Sequence, residues 1–202
     1  VNADPFAALL LAGGRSERMG TDKARLVWQA QPLWRLQLAK LAALGPARLL
    51  VGCREAQGLH TEAPVPACEW AFDPPGSNDG PLGAISRSLA ELPLLVLAVD
   101  LPHFEPAVLL ADWRAQAAPA RGLCWRSAQG LEPLAAVYPP ALRPVLQQAL
   151  AERRLGLQKL LAQAVTQGTV VVRPEPAGAG LDNLNTPEEW ARQQKGGPGG
   201  PP

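Results

Sequence analysis

The 202-residue chain is poor in the residues that build metal and disulfide chemistry: it has three cysteines and two histidines. Cys53, Cys68 and Cys124 lie far apart and form no Cys-x-x-Cys pair, so they read as neutral thiols of a reducing compartment. With only His60 and His103 besides, a zinc or iron–sulfur centre is not expected. No apolar run reaches the roughly 18 residues of a membrane helix. The start shows no basic segment leading into a cleavable apolar one. A soluble, cytoplasmic chain with no membrane partner is expected. The net charge of +1 offers no basic field for nucleic acid. No Ser-His-Asp or Cys-His arrangement suggests a side-chain nucleophile.

What is present is an ordinary globular balance, 47% hydrophobic and 18% charged. The length favours one compact domain, taken as residues 1–195, and a monomer is expected. The closing Gly196 to Pro202 has nothing apolar to bury and reads as a disordered tail.

One stretch organises the rest. The apolar run Ala7 to Ala12 stops at Gly13-Gly14, and Arg15, Arg18, Gly20 and Lys23 follow. Glycines let the backbone approach a ligand and turn its N–H groups inward. With two arginines and a lysine, the loop suits a polyanion, most simply a triphosphate. Two well-known phosphate loops do not match. Lys23 is followed by Ala24 rather than Ser or Thr, and Gly13-Gly14 is followed only by Gly20.

Along the chain, strands are expected at Phe6 to Leu11, Leu26 to Trp28, Arg48 to Val51, Trp70 to Phe72 and Leu94 to Val99. Helices are expected from Pro32 to about Leu44, from the Gly80-Pro81 turn to about Leu92, and from Pro106 to about Ala117. The alternation predicts a three-layer α/β/α, Rossmann-like fold with a mainly parallel sheet. Gly122 to Trp125 and Leu134 to Tyr138 read as strands that pair antiparallel. Ala141 to Ala151 and Leu157 to Ala164 read as helices, Thr169 to Arg173 as a late strand. Thr186-Pro187-Glu188-Glu189 reads as a capped helix start.

In open parallel sheets, ligands sit outside the carboxyl ends of the strands. Gly13-Gly14, Asp73 and Asp100 each follow a strand and are expected to face one crevice. Asp100, directly after the most apolar strand, is placed to hold Mg²⁺, which takes a few carboxylate oxygens together with phosphates and water. Asp73 precedes Asp79-Gly80-Pro81-Leu82-Gly83, whose glycines let backbone amides meet a base or ribose. Arg153-Arg154 reads either as an acceptor-phosphate contact or as a solvated helix end. Trp28 and Trp125 are candidates to pack on a ring, though six tryptophans more often mean core and surface packing.

The run Leu11-Ala12-Gly13-Gly14-Arg15-Ser16-Glu17-Arg18-Met19-Gly20-Thr21-Asp22-Lys23 resembles the signature loop of nucleotidyltransferases, and its ending most resembles the molybdenum cofactor guanylyltransferases, the MobA family. Val99-Asp100-Leu101-Pro102, Asp79 to Gly83, Glu132 to Tyr138 and Leu181 to Glu189 resemble further elements of that family, in its order, so the likeness spans about residues 6 to 194. The resemblance implies the sheet of the nucleotide-diphospho-sugar transferase type. It implies Mg²⁺-dependent transfer of GMP from GTP to molybdopterin, with release of pyrophosphate. It assigns Arg18, Lys23 and Asp100 to catalysis and Asp100 to the metal. Leu11, Ala12, Gly13, Gly14, Arg15, Lys23, Gly52, Asp73, Gly80 and Asp100 fall to substrate binding, as do Asn183 and Asn185 on the acceptor side. Other molybdenum cofactor biosynthesis proteins or a target molybdoenzyme are the implied protein partners. The sequence departs where the family usually has an asparagine after the second core strand. Here Gly52 stands, offering backbone groups to the base and leaving a cytidylyltransferase as an alternative. Asp22 favours guanylyl transfer, because the cytidylyl relatives usually carry proline there. A cofactor-delivery protein that binds nucleotide without catalysis is the alternative of another class.

Overall fold

The computed structural model describes residues 4–14, 22–62, 66–116 and 120–181. The expected tail at 196–202 and the capped helix at 186 lie outside them. The described strands are β1 (Ala7–Leu11), β2 (Val27–Trp28), β3 (Gln31–Pro32), β4 (Arg48–Cys53), β5 (Glu69–Phe72), β6 (Leu94–Ala98), β7 (Gly122–Ser127), β8 (Gly130–Tyr138) and β9 (Val170–Pro174). The helices are α1 (Leu33–Ala43), α2 (Gly80–Ser88), α3 (Pro106–Arg114), α4 (Arg143–Ala151) and α5 (Leu157–Thr166). Seven strands form one sheet in the order β5-β4-β1-β6-β8-β7-β9. β8 runs antiparallel to both of its neighbours, and the other pairings are parallel.

β1 is an interior strand, third in that order, and all five of its residues are buried. Because strand side chains alternate, it serves both faces. Ala8 and Leu10 pack with α1 and α3, through Leu38, Leu41, Leu109 and Trp113. Ala7, Leu9 and Leu11 pack with α2, through Leu82, Ile85 and Leu89. α4 and α5 join that second face through Leu146 and Leu160. A strand covered on both sides reads as an unbroken apolar run, and β1 and β6 do.

The order turns back at β1. From β1 the chain crosses by α1 to β4 and on to β5. From β5, α2 crosses the other face to β6 on the far side of β1. That reversal is a topological switch point, and it opens a crevice at the strand ends. In-register pairing sets those ends level, with Leu11 beside both Gly52 and Ala98.

Two sequence readings change. α2 ends at Ser88 rather than near Leu92, and Leu89 is extended and buried. Pro93 stands just before β6, has no N–H to continue a helix, and restricts the residue before it. β8 begins at Gly130, so β7 and β8 form a tight hairpin, with Ser127 beside Gly130.

Burial pushes the thiols of Cys53 and Cys124 up to about 12. Cys68 is partly exposed and its thiol is raised less. The thiolate is the reactive species. A disulfide reagent at mildly alkaline pH is therefore expected to label Cys68 in the native protein and all three cysteines after denaturation. Rapid native labelling of Cys53 would contradict the packing described.

Candidate active site

A cavity of about 860 Å³ lies outside the carboxyl ends of β1, β4, β5 and β6, within the roughly 300–1,000 Å³ of small-molecule sites. Leu11 to Gly14 form its floor with Gly52, and Asp73, Asp100 and Lys23 stand in its wall. The first turn of α2 enters at Gly80 and Pro81. The residues expected at three separate strand ends thus meet in one space.

The floor departs from expectation. The Ala12 and Gly13 N–H groups both donate to the Gly52 carbonyl, each at 2.9 Å. These two amides extend the sheet instead of turning inward, and Gly52 receives them instead of offering that carbonyl to a base. Gly13 supplies room: a Cβ there would lie 3.2 Å from Asp73 Oδ2 and 3.4 Å from Cys53 Cα. Gly52 does the same for α2, since its Cβ would lie 3.2 Å from the Ala84 methyl.

Lys23 and Asp100 form an ion pair at 2.8 Å, with 19% and 20% of their side chains exposed. Such shelter places the pair between surface bridges, worth up to about 1 kcal/mol, and buried ones, whose breaking costs about 3–5 kcal/mol. Both partners are held from behind. Asp22 Oδ1 accepts from the Ala24 amide at 3.1 Å and so caps the turn Lys23–Arg25. Beyond Asp100, the Gln37 amide donates to the Leu101 carbonyl, and Lys40 Nζ donates to the carbonyls of Pro102 and Phe104 at 3.0 and 2.8 Å. α1 therefore clamps the loop that follows the carboxylate.

Asp73 directly follows β5 and takes a hydrogen bond from Arg87 of α2. Burial raises its carboxyl above the ordinary range, Arg87 opposes that, and the nearby Asp79 carboxylate adds to it. Arg87 also faces Asp79 at 3.7 Å, and Arg153 Nη1 donates to Asp79 at 2.7 Å. Arg153 thus stands over the first turn of α2, held in a left-handed conformation with φ 57°. Gly80, with φ 58°, makes the turn into α2 that a side chain would strain.

Among the described residues no group of three His, Cys, Asp or Glu could hold a metal ion. Asp100 is a single hard carboxylate beside a cation in the cavity wall. That donor set suits Mg²⁺, which binds through one or two carboxylates and completes its shell with substrate phosphates and water.

Arg15, Arg18, Asn183 and Asn185 lie outside the described residues. Trp28 and Trp125 take the packing role rather than the ring-binding one. Trp125 is fully buried and its indole N–H donates to Asp112 at 2.8 Å. Trp28 is nearly buried and packs edge-on to His103. Sequence reasoning missed Arg54, Gln57 and Arg87. Arg87 sits two turns into a helix whose first turn drew the attention, and nothing local marks Arg54 or Gln57.

A cavity of this size, with a lysine paired to a carboxylate in its wall, suits a phosphate-bearing substrate of the kind a nucleotidyltransferase enzyme handles. The chain belongs to the MobA-like NTP transferase domain family, whose model matches residues 8–173. It is 34% identical to a probable molybdenum cofactor guanylyltransferase of Opitutus terrae, over 96% of this chain and 97% of that one. It is 35% identical to a protein of the same description from Synechococcus elongatus, over 94% and 98%. Among solved structures it resembles the molybdopterin-guanine dinucleotide biosynthesis protein A of Archaeoglobus fulgidus, with a TM-score of 0.73 and 22% identity over 94% and 97% of the two chains. That last likeness supports the same three-layer fold.

The adjacent glycines of the floor separate by experiment. Among the described residues nothing lies within 4 Å of a Cβ placed on Gly14, whereas one on Gly13 meets Asp73. Gly14→Ala is expected to be neutral or stabilising by up to about 1 kcal/mol, and Gly13→Ala to destabilise by about 1–2 kcal/mol, as read by urea unfolding. Equal stability of the two variants would contradict the placement of Asp73 against Gly13.

Proposed function

We propose that the chain is a molybdenum cofactor guanylyltransferase, transferring GMP from GTP to the phosphate of molybdopterin. An acceptor phosphate oxygen forms the new bond to the α-phosphorus, and the bond from that phosphorus to the β-bridging oxygen breaks. Pyrophosphate leaves, and the product is the dinucleotide. The observation that carries this reading is the Lys23–Asp100 pair in the cavity wall. It sits in a family whose curated relatives bear the guanylyltransferase name.

The chain's own groups divide the work. The Lys23 ammonium holds the triphosphate and balances the charge that builds on departing pyrophosphate. Asp100 would hold Mg²⁺, which supplies charge neutralisation at the phosphates. Gly13 and Gly52 let Asp73 and α2 pack close against the floor, and Asp73 meets the ribose or base. Arg18 and Arg15 add phosphate contacts, and Asn183 and Asn185 hold the pterin, whose ring edge asks for groups that both donate and accept. Because the acceptor brings its own nucleophile, positioning supplies most of the catalysis.

Calorimetric titration with GTP, CTP and ATP in the presence of Mg²⁺, on the wild type and Asp100→Ala, tests the reading. Selective GTP binding, weakened at least about tenfold in the variant, is expected from losing a charged contact. Preference for CTP would shift the assignment to the cytidylyltransferase that Gly52 keeps open. No nucleotide binding would end both.

A further inference from the structure

Behind the lysine that the nucleotide reading assigns to phosphate lies a residue outside the cavity lining. Gln57 lies in the short helical turn Glu55–Gln57 after β4 and is 8% exposed. Its side-chain amide makes three hydrogen bonds. Nε2 donates to the Ala12 carbonyl at 3.1 Å and to Asp22 Oδ2 at 2.9 Å, and Oε1 accepts from the Arg54 N–H at 2.8 Å. Two donor hydrogens and one acceptor are thereby used. The opposite amide orientation would set Oε1 against a carbonyl and a carboxylate, so the network fixes how the side chain sits.

These partners are the described flanks of the glycine–arginine stretch. Ala12 leaves β1, and Asp22 enters the turn that carries Lys23. The two oxygens of Asp22 are divided between Gln57 and the Ala24 amide. Arg54 Nη2 donates to the Gly14 carbonyl at 3.1 Å, and the Arg25 guanidinium donates to the Gln57 carbonyl, tying the same turn from two more sides. Side-chain amides carry no charge, so Gln57 can hold an aspartate in a sheltered place without offering Lys23 a competing anion. A glutamate would repel Asp22, and a shorter side chain would not reach both flanks.

We infer that Gln57 is a positioning residue of the nucleotide site, acting through Asp22 to hold Lys23 against Asp100 where the triphosphate binds; the inference rests on the nucleotide reading above. Its effect should pass through Lys23 and depend on hydrogen bonding, not on filling space.

Three variants of the full chain test it by calorimetry with GTP and Mg²⁺. Gln57→Met keeps the volume and removes the three bonds, and is expected to weaken binding about tenfold. In a Lys23→Ala background the same change should weaken binding less than about twofold, because a coupled pair is not additive. Gln57→Glu faces the Asp22 carboxylate, with the Arg25 guanidinium and Arg54 behind it, and the like charge beside it raises its pKa. Its loss of affinity relative to wild type should be largest near about pH 8 and shrink at least about threefold by about pH 5.5, where a proton restores the donor. A role in filling space alone would not give that recovery. If Gln57→Met fails to fold, or Lys23→Ala binds too weakly to measure, the pH series decides. Unchanged affinity in Gln57→Met, equal losses in both backgrounds, or a pH-independent Gln57→Glu ratio would overturn the inference alone. A wild type that binds no nucleotide would sink the nucleotide reading first and this one with it.

Discussion

In-register pairing of β1 with β4 on one side and β6 on the other is the constraint on which the cavity depends. Leu11 stands level with Gly52 and Ala98, so the chain leaves three neighbouring strands at one height. Hydrogen bonds carry that register one step past the strands, from Ala12 and Gly13 to the Gly52 carbonyl and from Val99 to the Leu11 carbonyl. A slip of one residue would turn every β1 side chain to the opposite face and bury none of them correctly. Apolar packing on both faces thus sets, at a distance, where Gly13 and Asp100 stand.

On that frame the ion pairs beside the cavity, among the described residues, form two groups. Lys23 and Asp100 pair on one wall. Asp73, Asp79, Arg87 and Arg153 form an alternating chain around the first turn of α2. Each group is close to neutral, in keeping with the chain's net charge of +1. Asp73 is the member whose charge burial disfavours most. Its raised carboxyl lends the fold stability at low pH that is lost as pH climbs from the ordinary carboxylate value through the raised one.

Much of this was legible in the sequence because buried parallel strands leave a plain signature. β1 and β6 are unbroken apolar runs ended by Gly13 and by Asp100, and the residues just after such runs mark the crevice. The capping and breaking residues Pro32, Gly45, Pro81 and Pro106 placed the helices on α1, α2 and α3. What stayed hidden depends on contacts between residues distant in the chain. Gln57 meets Ala12 and Asp22 across 45 and 35 positions, and a glutamine in a polar loop carries no local sign of that. Backbone hydrogen bonding at Gly52 is equally silent: a glycine signals room, but not which amides its carbonyl receives. Trp125 stayed open for a related reason, since an aromatic side chain looks the same in sequence whether it faces a ligand or fills the core.

The central claim is that the cavity joins two phosphates instead of only binding one nucleotide. Pyrophosphate release from GTP, measured with and without molybdopterin in the presence of Mg²⁺, tests it directly. The account predicts release that requires molybdopterin, matches dinucleotide formation mole for mole, and is lost in Lys23→Ala. Tight GTP binding with release no faster than in the absence of enzyme would contradict it and leave a nucleotide-binding delivery protein.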